Sequence, residues 1–77
     1  MTKLKVMIKN KNAISIDVDL YKETINDLIK KLGNITVNLV TIGGEDIKTE
    51  DFSKKLYTFD LEEGEMILIS DYYNGGK

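Results

Sequence analysis

The stretch TINDLIKKLG, residues 24–33, decides the fold, because the spacing of apolar residues changes there from two to between three and four. Apolar side chains at i, i+3, i+4 and i+7 form one stripe along an α-helix. The stripe consists of Ile25, Leu28, Ile29 and Leu32. This spacing predicts a helix over residues 24–32 that packs its apolar stripe against the rest of the protein.

Polar residues at both ends of this stretch predict where the helix begins and ends. Thr24 is a favourable N-cap, and Asp27 stands three residues later in place of the glutamate of a capping box. Lys30 and Lys31 fall in the last turn, where the helix dipole favours cations. Gly33 follows at the position where a left-handed residue often ends a helix.

Before the helix, two segments alternate apolar and polar residues, which is typical of strands with one buried face. Residues 10–12, Asn-Lys-Asn, separate them and suit a tight turn, so the pair predicts a β-hairpin. Lysines of the first strand are expected opposite aspartates of the second. The residues expected to face inward are Leu4, Val6, Ile8, Ile14, Ile16, Val18 and Leu20.

After the helix, residues 35–42 are rich in β-branched types and predict a strand. Its inward face stays ambiguous, because Val37 and Leu39 compete with Val40 and Ile42. A turn at residues 43–44, Gly-Gly, and a short returning strand around residues 45–48 are expected next.

Residues 49–60 show no regular period and are expected to be irregular, with four apolar anchors. These are Phe52, Leu56, Tyr57 and Phe59. A turn at residues 62–64 precedes a last strand over residues 66–70, with Ile67 and Ile69 facing inward. The order predicts an α+β fold in which a mixed sheet of four or five strands packs on one helix. The first and last strands are expected to be parallel neighbours.

The composition limits the chemistry open to this chain. Its 77 residues include no Cys, His or Arg, and its net charge is −2. Disulfides, the usual zinc and haem sites and Cys–His or Ser–His nucleophiles therefore cannot form. An acidic chain is a poor nucleic-acid partner, and its apolar runs are too short to span a membrane. We expect a monomeric cytoplasmic protein with no cofactor and no enzymatic activity of its own.

The chain resembles the ubiquitin-like β-grasp superfamily along its whole length, and most of all the sulfur-carrier branch of thiamin and molybdopterin synthesis. TINDLIKKLG resembles the helix that follows the hairpin in that branch. IGGEDI, residues 42–47, resembles its turn into a short strand, and LEEGEMILI, residues 61–69, its acidic turn before the final strand. The resemblance implies a single β-grasp domain over residues 1–70 and a flexible tail over residues 71–77.

The tail ends in YYNGGK, residues 72–77, and the resemblance gives these residues a role. Carriers of this superfamily are adenylated on a terminal glycine carboxylate, which implies activation or conjugation through Gly75 and Gly76. Because the chain continues to Lys77, a processing protease is expected to remove that residue first. The resemblance also implies an adenylating enzyme as the partner, and as the product either a thiocarboxylate sulfur donor or a conjugate on lysine.

Several other residues are candidates for partner docking. If Ile67 and Ile69 face the helix, Met66 and Leu68 face the open side of the sheet, and Met7 is expected beside them. The alternative for these three is scattered surface apolar residues. Tyr72 and Tyr73 either cap the sheet edge or bind a partner. The alternative function is a non-conjugating ubiquitin-like protein-interaction module that uses the open sheet face.

Overall fold

The computed structural model describes residues 1–74. Within them the chain forms five strands and one short α-helix, joined in part by 3-10 turns at Thr49–Asp51 and Leu56–Phe59. The elements are β1 (Thr2–Ile8), β2 (Ile14–Val18), α1 (Ile25–Lys30), β3 (Ile35–Ile42), β4 (Glu45–Lys48) and β5 (Met66–Asn74). None of the helices in this part of the chain is long and apolar enough to cross a membrane.

The strands form one mixed sheet in the order β2-β1-β5-β3-β4. β1 and β5 run parallel at its centre, and the other neighbouring strands are antiparallel. The predicted α+β class, the β1–β2 hairpin and the parallel first and last strands are confirmed. At the β3–β4 hairpin, Gly43 and Gly44 both have positive φ, 60° and 81°, as a two-residue turn of this kind requires.

The capping box predicted for α1 is present. The Thr24 hydroxyl oxygen accepts a bond from the Asp27 N–H at 3.1 Å, and the Asp27 carboxylate accepts one from the Thr24 N–H at 3.0 Å. The helix ends at Lys30, two residues before the predicted Leu32. The backbone N–H of Leu32 donates to the Ile29 carbonyl, so the last turn tightens toward 3-10 geometry instead of continuing the α-helix.

One buried apolar cluster joins the inner face of the sheet to α1. It consists of Leu4, Val6, Ile8, Val18, Ile25, Leu28, Val37, Val40, Ile42, Ile47, Phe52, Leu56, Leu61, Ile67 and Ile69. The inward predictions for β1 and β5 are confirmed. On β2 only Val18 is fully buried. Ile14 lies opposite the buried Val6 and so shares its inward face, but β2 is an edge strand and leaves the Ile14 side chain 40% exposed.

The ambiguity of β3 has a structural cause. Val37 lies opposite Tyr72 and Val40 lies opposite Ile69, but the register shifts between these pairs. One extra residue on β3, Asn38, changes which alternate positions face inward. Val37 on one side of the shift and Val40 on the other are therefore both buried.

The segment after β4 is bound to the loop that leads into α1. Three backbone N–H groups donate across the junction: Leu56 to the Glu23 carbonyl at 2.8 Å, Tyr57 to that of Leu20 at 2.9 Å, and Asn26 to that of Phe52 at 3.0 Å. Phe52 and Leu56 are buried as predicted. The anchor prediction for Tyr57 is wrong, because its ring is about half exposed and stacks on the exposed Tyr21 at 5.4 Å.

Candidate interaction face and carboxyl-terminal arm

The open face of the sheet, opposite α1, brings three predicted docking residues together. Met7 of β1 lies directly opposite Leu68 of β5, and Met66, two residues before Leu68 on the same strand, lies opposite Lys5. Met66 and Leu68 are 44% and 37% exposed, and Met7 is half-buried. We call Met7, Met66 and Leu68 the apolar patch. Adjacent flexible apolar side chains of this kind adapt to the surface of a partner.

One residue next to the apolar patch was missed by sequence reasoning. Leu39 lies opposite the exposed Lys48 on β4 and opposite Asp71 on β5, while its neighbour Val40 points into the core. Its half-buried side chain therefore lies on the open face. Period-two alternation could not place it, because the register shift in β3 depends on pairing with β5.

Polar residues border the apolar patch on both sides. Thr41, directly opposite Leu68, donates a hydroxyl bond to the Asp46 carboxylate at 3.0 Å. On the other side the predicted pairing of lysine with aspartate is present, with Lys3 Nζ 3.2 Å from Asp17 Oδ1. More than half of each of these two side chains is exposed, so the ion pair contributes little to stability. The border carries charges of both signs and does not favour one charge on a partner.

The two candidate tyrosines occupy different environments. The Tyr72 ring packs against the core cluster, and its hydroxyl donates to the Lys9 carbonyl oxygen at 2.7 Å. Lys11 Nζ lies 6.0 Å from the centre of the same ring, within the range of a cation–π contact. Tyr73 is 58% exposed. The contacts of Tyr72 support its role in capping the sheet, whereas Tyr73 is free to meet a partner.

The last strand, predicted over residues 66–70, is longer than expected, because β5 continues to Asn74. Asn74, Tyr73 and Tyr72 lie opposite Ile35, Thr36 and Val37 of β3. The start of β3 supplies a partner strand that alternation within residues 66–70 did not reveal. Gly75, Gly76 and Lys77, predicted as the activation and processing positions, lie outside the described residues.

A cavity of about 410 Å³ lies between β4 and the segment that follows it. Its lining residues are Ile42, Glu45, Asp46, Ile47, Asp51, Lys54, Thr58, Phe59 and Asp60. Lys54 Nζ is 3.2 Å from Asp51 Oδ1, which partly offsets the negative charge. Among residues 1–74, no three acidic side chains converge in a way that would hold a metal ion.

Comparison with protein families and with curated proteins does not assign the chain to a family. No protein-family model matches its sequence, and a search of curated proteins finds no match either.

Proposed function

We propose that this protein is a ubiquitin-like β-grasp carrier, closest in kind to the sulfur carriers, that is activated on the Gly76 carboxylate after Lys77 is removed. The observation that carries the proposal is the position of β5. This strand lies parallel to β1 at the centre of the sheet and runs to Asn74, and the Gly-Gly pair follows it directly in the sequence. The strand order and the single helix also agree with a β-grasp plan.

The chemistry belongs to the carboxylate and to the partner enzyme. An oxygen of the Gly76 carboxylate attacks the α-phosphorus of ATP, an acyl–phosphate bond forms, and pyrophosphate leaves. A sulfide or thiol can then attack the acyl carbon and displace AMP. The carrier needs no catalytic side chain for these steps, in keeping with a chain that has no Cys or His. Glycines suit such an arm because they allow close backbone approach inside a narrow site.

The experiment compares chains that end at Gly76 and at Lys77. Each is incubated with the adenylating enzyme of the same organism and ATP, and exchange of pyrophosphate into ATP is measured. The chain ending at Gly76 is expected to support exchange, and the full chain is not. A Gly76→Val variant of the trimmed chain is expected to be inactive, because its β-branched side chain hinders close approach. Equal activity of the trimmed and full chains would contradict the proposal.

Mass spectrometry of the protein from its native cells supplies the second test. A mass corresponding to a thiocarboxylate would favour sulfur donation, and a branched peptide on a lysine would favour conjugation. If only the uncut form with Lys77 is found, the proposed activation is wrong.

The apolar patch favours one second function, a protein-interaction module that is never activated. Met7 and Leu68 are side by side on the open face whether or not the tail is processed. Under this second function, a partner recovered from native cells binds the full chain and the chain shortened to Asn74 equally well. If the protein is a carrier, its partner requires Gly75 and Gly76 and therefore does not bind the chain shortened to Asn74.

A further inference from the structure

The end of β5 is set off from the rest of the strand by two register shifts. Ile69 lies opposite Val40, Asp71 opposite Leu39, and Tyr72 opposite Val37. Asn38 on β3 and Ser70 on β5 are the two extra residues. Because there is one on each strand, the register of the two strands is the same on both sides of the irregular region. Each extra residue leaves a local gap in the ladder. Residues 71–74 thus form a separate section of strand, joined to the central part at Ser70.

This section has fewer neighbours than the central part of β5. Pairing with β1 ends where Ile69 lies opposite Ile8, so β3 is its only partner strand. None of residues 71–74 is fully buried. On the β1 side, Tyr72 holds this section through its hydroxyl bond to the Lys9 carbonyl, the Lys11 cation–π contact and the packing of its ring against the core cluster. Few buried contacts and exposed backbone bonds are typical of segments that open locally.

The length of the arm depends on whether this section stays paired. If β5 is paired to Asn74, two residues of the trimmed chain follow the paired strand in the sequence, and two residues can span at most about 7 Å. If residues 71–74 detach at Ser70, six residues reach about 20 Å. An adenylation site has to enclose the carboxylate and exclude water. A reach of about 7 Å is close to the length of one long side chain, so the folded domain would meet the rim of such a site.

We propose that residues 71–74, the latch, detach from β3 when the carrier enters its activating enzyme, and that Tyr72 holds the latch closed in the free protein. The inference rests on the proposed function, and it makes Tyr72 a positioning residue for the tail. With the latch closed, the Gly76 carboxylate cannot reach the adenylation site. When the latch opens at Ser70, the longer arm allows the carboxylate to enter that site. The apparent affinity for the enzyme is the intrinsic affinity multiplied by the fraction of molecules in which the latch is open.

Hydrogen exchange on the free protein tests the latch without any enzyme. The amides of residues 72–74 are expected to exchange faster than those of residues 67–69. Tyr72→Phe keeps the ring and removes the bond to Lys9, so it should speed exchange of residues 72–74 about fivefold, as loss of one hydrogen bond implies. Tyr73→Phe is the matched control and should change neither group. The latch would be overturned if the amides of residues 72–74 and 67–69 exchange at the same rate, or if Tyr72→Phe has no effect on exchange.

A reversible lock tests its part in activation. Thr36 and Tyr73 lie opposite each other, and the chain has no native cysteine, so Thr36→Cys with Tyr73→Cys in the chain ending at Gly76 can cross-link the latch to β3. Lys3→Cys with Asp17→Cys is the control lock, because it joins β1 to β2 and leaves the tail unrestrained. Oxidation of the latch lock is expected to lower pyrophosphate exchange by on the order of tenfold or more.

The outcomes separate the latch from the proposed function. Recovery of exchange on reduction, with the control lock active in both states, supports the latch. Equal exchange by the oxidised and reduced latch lock overturns the latch and leaves the carrier function in place. No exchange by any trimmed chain in the reduced state overturns the carrier function and, with it, the role given to the latch.

Discussion

Leu28 on the helix and Leu68 on β5 are residues of the same type that lie on opposite sides of one sheet. Leu28 is 1% exposed inside the core cluster, whereas Leu68 is 37% exposed on the open face. The helix covers one face and leaves the other to water. An apolar residue on the covered face therefore stabilises the fold, while one on the open face is available to a partner.

The largest expected effect is on the covered face. Leu28→Ala should lower the free energy of unfolding by about 2–5 kcal/mol, because it removes buried methyl groups and leaves a cavity. That is a large share of the roughly 5–10 kcal/mol expected for a small domain. Urea denaturation measures the change. Leu68→Ala is the matched control, with an expected loss below about 1 kcal/mol, and equal losses for the two variants would contradict the comparison of the faces.

The next effect is on binding through the apolar patch. Leu68→Asp should leave the fold intact and weaken binding to a partner by about 2 kcal/mol, as expected when a charge replaces an apolar contact at the centre of an interface. Calorimetric titration against the partner measures binding, and far-ultraviolet circular dichroism checks the fold. An unfolded Leu68→Asp variant would mean that this side chain supports the core. Lys48→Asp, at the border of the open face, is the control and should have a smaller effect.

A smaller effect is expected where the helix is anchored to the covered face. Thr24→Ala removes the hydroxyl that accepts the Asp27 N–H, so the free energy of unfolding should fall by about 1 kcal/mol. Thr24→Ser retains an acceptor oxygen and should restore most of the loss. If both variants are equally destabilised, the cap bond is not the cause.

The smallest effect depends on pH. Hydrogen bonding to the Thr24 backbone N–H is the main reason that the pKa of Asp27 lies below its ordinary value of 3.8. A pKa lowered in the folded state adds stability above the unfolded-state pKa, and this stability is lost as the pH falls through the folded-state pKa. The stability advantage over Asp27→Asn should therefore be constant near neutral pH and shrink below about pH 4. Denaturation curves measured between pH 6 and pH 2 check this expectation. A stability advantage that does not change across that range would mean that the ionised Asp27 carboxylate does not stabilise the fold.

The candidate site was only partly predictable from the sequence. Met7, Met66 and Leu68 followed from alternation in two regular strands, and their exposure agrees with it. Leu39 did not follow, because its direction depends on an extra residue in β3. The packing of Tyr72 also did not follow, since its hydroxyl partner Lys9 lies far away in the sequence. The roles of Gly75 and Gly76 remain proposals that come from the family resemblance and from chemistry.

Local interactions explain what the sequence determined by itself. The cap at Thr24, the left-handed Asn10 and the Gly43–Gly44 turn each depend on residues within a few positions of one another. Alternation in β1 likewise identified its buried face, because neighbouring side chains on a strand point to opposite sides. Such features set the order of the elements and the α+β class.

Only the tertiary structure decided where strands acquire neighbours and where they lack them. Ile14 is exposed because β2 is an edge strand, and β5 extends to Asn74 because residues 35–37 lie beside it. The two extra residues, Asn38 and Ser70, are more than thirty positions apart in the sequence, so no local pattern contains both. Their positions depend on backbone pairing between distant segments, and that pairing forms only when the whole sheet assembles around the core.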